Sequence, residues 1–77
     1  MADQDVVLEI QKIIEDDPII GGKNITVSLQ KSGFLGRDKS ILLVGKLDSD
    51  RDRKRAEEIA TKWAGKLKVV NKLLVGG

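Results

Sequence analysis

The chain has no cysteine, no histidine and no tyrosine, and only one proline, one phenylalanine and one tryptophan among 77 residues. Without cysteine, neither a disulfide nor a thiolate zinc site can staple it. Without histidine, cysteine and tyrosine, it lacks the usual general base, the imidazole metal ligand and two common nucleophiles. Catalysis is therefore not expected, and the sequence calls for no metal and no other cofactor. Apolar runs stop at four residues, against the roughly 20 of a membrane-spanning helix. No basic stretch leads into an apolar segment of the signal-peptide kind. The expectation is a cytoplasmic protein if Met1 is the native start, or a mature domain to which a start Met has been added.

What is present is aliphatic and charged. A chain of this length is expected to form a single domain, residues 1–77. A domain so small buries only roughly 60% of its unfolded surface, so its stability margin is thin. The net charge is +2 but unevenly spread. Residues 1–17 carry six acids and one base, a balance of −5, and residues 18–77 carry thirteen bases and six acids, a balance of +7. Such a basic body suits anionic partners, phospholipid headgroups or nucleic acid, although a solvated surface has the same composition.

Hydrophobic spacing gives the element order. Val6, Val7, Ile10, Ile13 and Ile14 share one face of a helix over residues 3–16. Asp3 or Asp5 suits its N-terminus, and Pro18 ends it. Gly21-Gly22 marks a turn. Residues 24–30 alternate, with Ile25, Val27 and Leu29 facing one way. Residues 31–40 read as a hairpin loop and 41–47 as a second, antiparallel strand. Ser49 is placed to cap a second helix with the stripe Ala56, Ile59, Ala60 and Trp63, and Gly65 to end it. A last strand, residues 67–75, returns by a right-handed crossover, parallel to the second strand. The fold class is α+β: helix-strand-strand-helix-strand, with a mixed three-stranded sheet and both helices on one face. In this arrangement Gly45 faces inward, and a strand glycine marks a close approach, expected here from the second helix.

With that order in view, the sequence resembles a BON domain, the module named for bacterial osmotically inducible and nodulation proteins. The matching segments are Glu15-Asp16-Asp17-Pro18, Ile25-Thr26-Val27, Leu43-Val44-Gly45-Lys46-Leu47, Ala56 with Ile59-Ala60, Gly65, and Val70-Asn71-Lys72-Leu73-Leu74-Val75. The resemblance implies binding rather than catalysis: phospholipid membranes, cell-envelope assemblies or, in a cytosolic branch, a potassium ion. It adds a periplasmic or envelope setting to the expectations. Two departures are Lys66 after Gly65, where the family has valine, and a hairpin loop longer than the family's short turn.

Two surfaces are candidates. In the first, Lys31, Phe34, Leu35, Arg37 and Lys39 form a glycine-flanked tip, with Trp63, Lys66 and Lys68 expected at the same end. Apolar residues rimmed by cations suit an anionic membrane surface; the alternative is that Phe34 folds back on the core. The second is the sheet face away from the helices, where Leu42, Val44, Val70 and Leu74 would suit a lipid, an envelope protein or weak self-association. Gly33-Phe34-Leu35-Gly36 imitates the GxxG loop of nucleic-acid-binding KH modules, but it joins two strands rather than two helices, so nucleic acid is disfavoured, though the basic body keeps it as the alternative function, ahead of cation sensing. Asp48, Asp50 and Asp52 imitate a calcium loop, but Arg53 and Ile59 occupy the positions of its glycine and closing glutamate. Arg51, Arg53, Lys54 and Arg55 are expected to pair with local acids and with Asp16 and Asp17.

Overall fold

A computed structural model describes residues 3–33 and 38–76. The elements are α1 (Asp3–Glu15), β1 (Thr26–Ser32), β2 (Asp38–Leu47), α2 (Asp50–Ala64) and β3 (Lys68–Val75). The sheet order is β1-β2-β3, with β1 and β2 antiparallel and β2 and β3 parallel. The expected order and pairing are therefore present. Both helices lie on one face, α1 over β1 and α2 over β2 and β3.

The core follows from the alternation. Ile25, Val27, Ile41, Leu43, Leu47 and Leu73 point from the sheet toward Val7, Ile10 and Ile14 of α1 and Ala56, Ala60 and Ala64 of α2, and all are buried. Ile41, Leu43 and Leu47 occupy the central strand, which is covered by neighbours on both edges. Leu29 and Val6 pack at the margin, partly buried.

The sequence expectation for α2 needs correction. Its buried stripe is Ala56, Ala60 and Ala64, while Ile59 is half-buried and Trp63 is 46% exposed. Three alanines at four-residue spacing bring the helix backbone close to the sheet and to α1. A tryptophan cannot fit into that narrow layer, so it lies outside it. The helix ends themselves match expectation. Ser49 Oγ accepts the Asp52 N–H at 3.2 Å, and Gly65 ends the helix with φ +65°.

Gly45 also departs from expectation. A Cβ there would lie 3.3 Å from the Asn24 carbonyl oxygen, 3.3 Å from Ile25 Cα and 3.4 Å from Leu73 Cδ2. The close approach is made by the chain entering β1 and by β3's Leu73, not by α2. The strands likewise extend further into the hairpin than expected, so Lys31 and Lys39 are paired strand residues rather than loop residues.

Between α1 and β1, Ile20 is fully buried. Asp17 holds that turn in place. Its carboxylate accepts the Ile19 and Ile20 N–H groups at 2.8 and 3.1 Å, and Arg55 of α2 grips it through Nε and Nη2 at 2.9–3.1 Å. The Arg55 hydrogen bond, aided by the two amides and opposed by burial, holds the Asp17 carboxyl below the usual carboxylate range. A carboxyl with a depressed folded-state pKa contributes stability that is complete above its unfolded value, here 3.8, and lost as pH falls through the lower folded value. Thermal melts below pH 4 are thus predicted to steepen in their pH dependence for the wild type and to flatten for Asp17→Asn. Identical acid profiles for the two proteins would show that the pair carries no linkage.

Candidate functional site

The open face of the sheet is built by strand alternation. Residues of β2 at odd positions enter the core, so Ser40, Leu42, Val44 and Lys46 face away from the helices. Register carries the same face across the sheet. Leu42 lies beside Ser28 and Val70, Val44 beside Thr26 and Lys72, Lys46 beside Leu74, and Ser40 beside Gln30 and Lys68. The four apolar residues singled out from sequence are thus contiguous. Val44 is 44% exposed, Leu74 67%, and Leu42 and Val70 are half-buried.

From the Ser40 row to the Lys46 row the charge on this face is of one sign; Asp38, in the same phase of β2, lies one row beyond toward the hairpin. Lys46, Lys68 and Lys72 are exposed on it. Among the described residues no acid pairs with any of the three. The β1 side contributes Thr26, Ser28 and Gln30, which are polar and neutral. From the Gln30–Ser40–Lys68 row to the Lys46–Leu74 pair, the face has an apolar centre, a cationic flank and no carboxylate. Spacing showed the apolar residues. Alternation also puts Lys72 on this face, but Lys46 and Lys68 join it as one flank only through the β2–β3 register.

The hairpin end is less clearly a site. Phe34, Leu35 and Arg37 lie outside the described residues. Lys31 is exposed on β1 opposite Lys39. Lys39, expected as a free cation, is instead bonded to Asp3 of α1 at 2.8 Å. Its odd position turns it toward the helices, and the acid at the start of α1 neutralises it. Lys66 and Lys68 do join Lys39 at this end, lining a shallow groove of about 340 Å³ with Asp38 and Leu67. Trp63 falls in the last turn of α2, which runs back from the far end of β2 toward the hairpin. The Lys62 ammonium lies 5.8 Å from its ring centroid.

The remaining charge clusters have structural roles. Arg53 and Lys54 pair with Asp50 at 2.7 and 3.4 Å, and Arg55 with Asp17, as expected, whereas Arg51 and Asp16 form no ion pair among the described residues. Asp48 is bonded to Lys23. Among the described residues there is no group of three acids or other donors placed to hold a metal ion. No described helix is long and apolar enough to cross a membrane.

Sequence reading gave no sign of Gln11. Its amide spans the free edge of β1, accepting the Val27 N–H at 2.7 Å and donating to the Ile25 carbonyl at 2.8 Å. It occupies the edge as a neighbouring strand would. On the opposite edge, Asn71 Oδ1 accepts the Leu73 N–H at 2.9 Å.

The family model for the BON domain matches residues 2–77. The chain belongs to the BON domain family. That family is a binding module, known for association with membranes and phospholipid, and is not catalytic. No curated protein matches the chain. A binding module is in keeping with the exposed apolar patch and lysine flank of the sheet face.

Proposed function

We propose that this BON domain binds anionic phospholipid surfaces through the open face of its sheet, and that it works at the cell envelope. The observation that carries this reading is the apolar centre Leu42, Val44, Val70 and Leu74 flanked by Lys46, Lys68 and Lys72 with no acid among them. Apolar side chains gain by leaving water for the headgroup–acyl boundary, at roughly 1.5–3 kcal/mol for a fully buried valine or leucine. Lysines beside them meet lipid phosphates, an attraction that salt screens. Lys68 also lines a groove with Lys66 and Leu67, which carries the cationic flank toward the hairpin end of the sheet. An envelope protein with an acidic surface is the second reading, and the same flank supports it.

Vesicle co-sedimentation separates these readings. Binding is expected to vesicles containing anionic lipid and not to purely zwitterionic ones, and to weaken at high salt. Val44→Ser with Leu74→Ser should lower vesicle affinity at least about tenfold without changing the melting transition, because both side chains are largely outside the core. Phe34→Ser with Leu35→Ser, tested in parallel, measures the hairpin's share. Unchanged binding after the sheet-face substitutions would remove that face as the lipid site, and no binding to any vesicle would favour a protein partner.

A further inference from the structure

Acids are concentrated on the outer face of α1 and the residue that follows it. Asp5, Glu9, Glu15 and Asp16 are exposed there, against the single base Lys12. Asp3 and Asp17, the other acids of this segment, are already engaged by Lys39 and Arg55. Amid these four carboxylates, of which Glu15 accepts the Gln11 amide at 3.1 Å, stands Leu8, 60% exposed. One side of the molecule thus presents an apolar residue among acids, and the opposite side an apolar patch flanked by lysines. α1 rests on the sheet's inner face, so these two surfaces point in opposite directions.

We propose that the occupant of the open sheet face, in the absence of lipid, is α1 of a second copy of this chain. Leu8 of one copy would seat on Val44, Val70 and Leu74 of the next, with Asp5 and Glu9 against Lys46 and Lys72. Two other modes of self-association are disfavoured by the structure. Face-to-face pairing of two sheets would set the lysine flank of one copy against that of the other. Edge-to-edge pairing would have to displace Gln11 from β1 or Asn71 from β3. A helix-to-sheet contact uses different surfaces on the two partners, so it is heterologous and does not close at a dimer. The contact is small, and small interfaces are weak and transient. It shares the sheet face with the lipid reading, so lipid and a second copy compete for it, but it rests on charge and apolar complementarity within this chain alone.

The test is sedimentation equilibrium of the full chain without vesicles, from about 10 μM to about 1 mM, the range suited to a weak interface. The average mass should rise past that of a dimer at the upper concentrations and return to the monomer in high salt. Two charge reversals make the contact specific. Lys46→Glu with Lys72→Glu gives an acidic sheet face, and Asp5→Lys with Glu9→Lys gives a basic helix. Each variant alone should remain monomeric with an unchanged melting transition, since none of these residues is core. An equimolar mixture should associate again, because every junction in it pairs opposite charges. A wild type that stays monomeric would overturn the proposal, as would growth that stops at a dimer or a mixture that fails to associate. All arms are free of lipid, so failure of vesicle binding leaves this result standing, and the reverse also holds.

Discussion

Gly45→Val is expected to destabilise the domain by about 3 kcal/mol, even though valine is among the best strand formers. A domain of this size has a total stability of roughly 4–12 kcal/mol, so the loss would be large. Strand propensity spans only about 1 kcal/mol, too little to offset the crowding. The first added carbon already meets Asn24 and Ile25 at 3.3 Å, and both contacts are backbone atoms. Neither can move without shifting the entry to β1. The Asn24 backbone is itself in the left-handed region, at φ +57°, so the local path is closely fixed. Gly45 also has φ +158°, a value that residues bearing a Cβ rarely adopt. Denaturant titration measures the change directly. A neutral or more stable Gly45→Val protein would mean that β1 does not pass over this glycine as described.

How far the sequence reveals this arrangement depends on the range of the interaction involved. Period-two and period-3.6 patterns are local, and they were enough for the order of elements and for the two sheet faces. Ser49 and Gly65 mark the ends of α2 because caps act within one turn. Gly45 was recognisable as a close approach, but not its partner, since the choice between α2 and the Asn24–Ile25 segment depends on tertiary placement. The same limit explains Lys39. Residues of either phase near a loop look alike in sequence, and only the strand register turns this lysine toward Asp3. Gln11 was invisible for the opposite reason: a glutamine on an amphipathic helix is ordinary, and its partners are 14 and 16 residues away. The apolar half of the candidate site was legible from alternation alone. Its lysine flank was legible only at Lys72, because Lys46 and Lys72 become neighbours only through a parallel register formed across a helical crossover.

The core of α2 was misjudged by size. Tryptophan is the largest apolar side chain in the sequence and falls at helical spacing from Ile59 and Ala60, so bulk pointed to Trp63 as an anchor. The layer between helix and sheet is instead set by the smallest residues, Ala56, Ala60 and Ala64, and the volume is supplied by the sheet. This arrangement also leaves a large aromatic near the hairpin end, available to a surface contact without cost to the fold.

Leu43→Ala and Trp63→Ala together discriminate between the two descriptions. Leu43 is fully buried on the central strand, beneath the alanines of α2. Its truncation removes apolar burial and leaves a cavity between two helices and a sheet that cannot easily close. The expected loss is about 2–5 kcal/mol, which at the upper end leaves little folded protein at room temperature. Trp63→Ala removes a side chain that is half in water, together with an exposed contact to the Lys62 ammonium at 5.8 Å. Cation–π contacts at exposed sites are worth about 0.5–1 kcal/mol, and burial of about half of the ring adds roughly 1 kcal/mol, so the loss should stay below that of Leu43→Ala. Chemical denaturation of the two variants beside the wild type checks the ordering. A Trp63→Ala protein as unstable as Leu43→Ala would return the tryptophan to the core and require α2 to be rotated on its axis. If the order holds, the intact fold of Trp63→Ala allows its vesicle binding to be measured at full occupancy of the native state, and any loss there belongs to the surface.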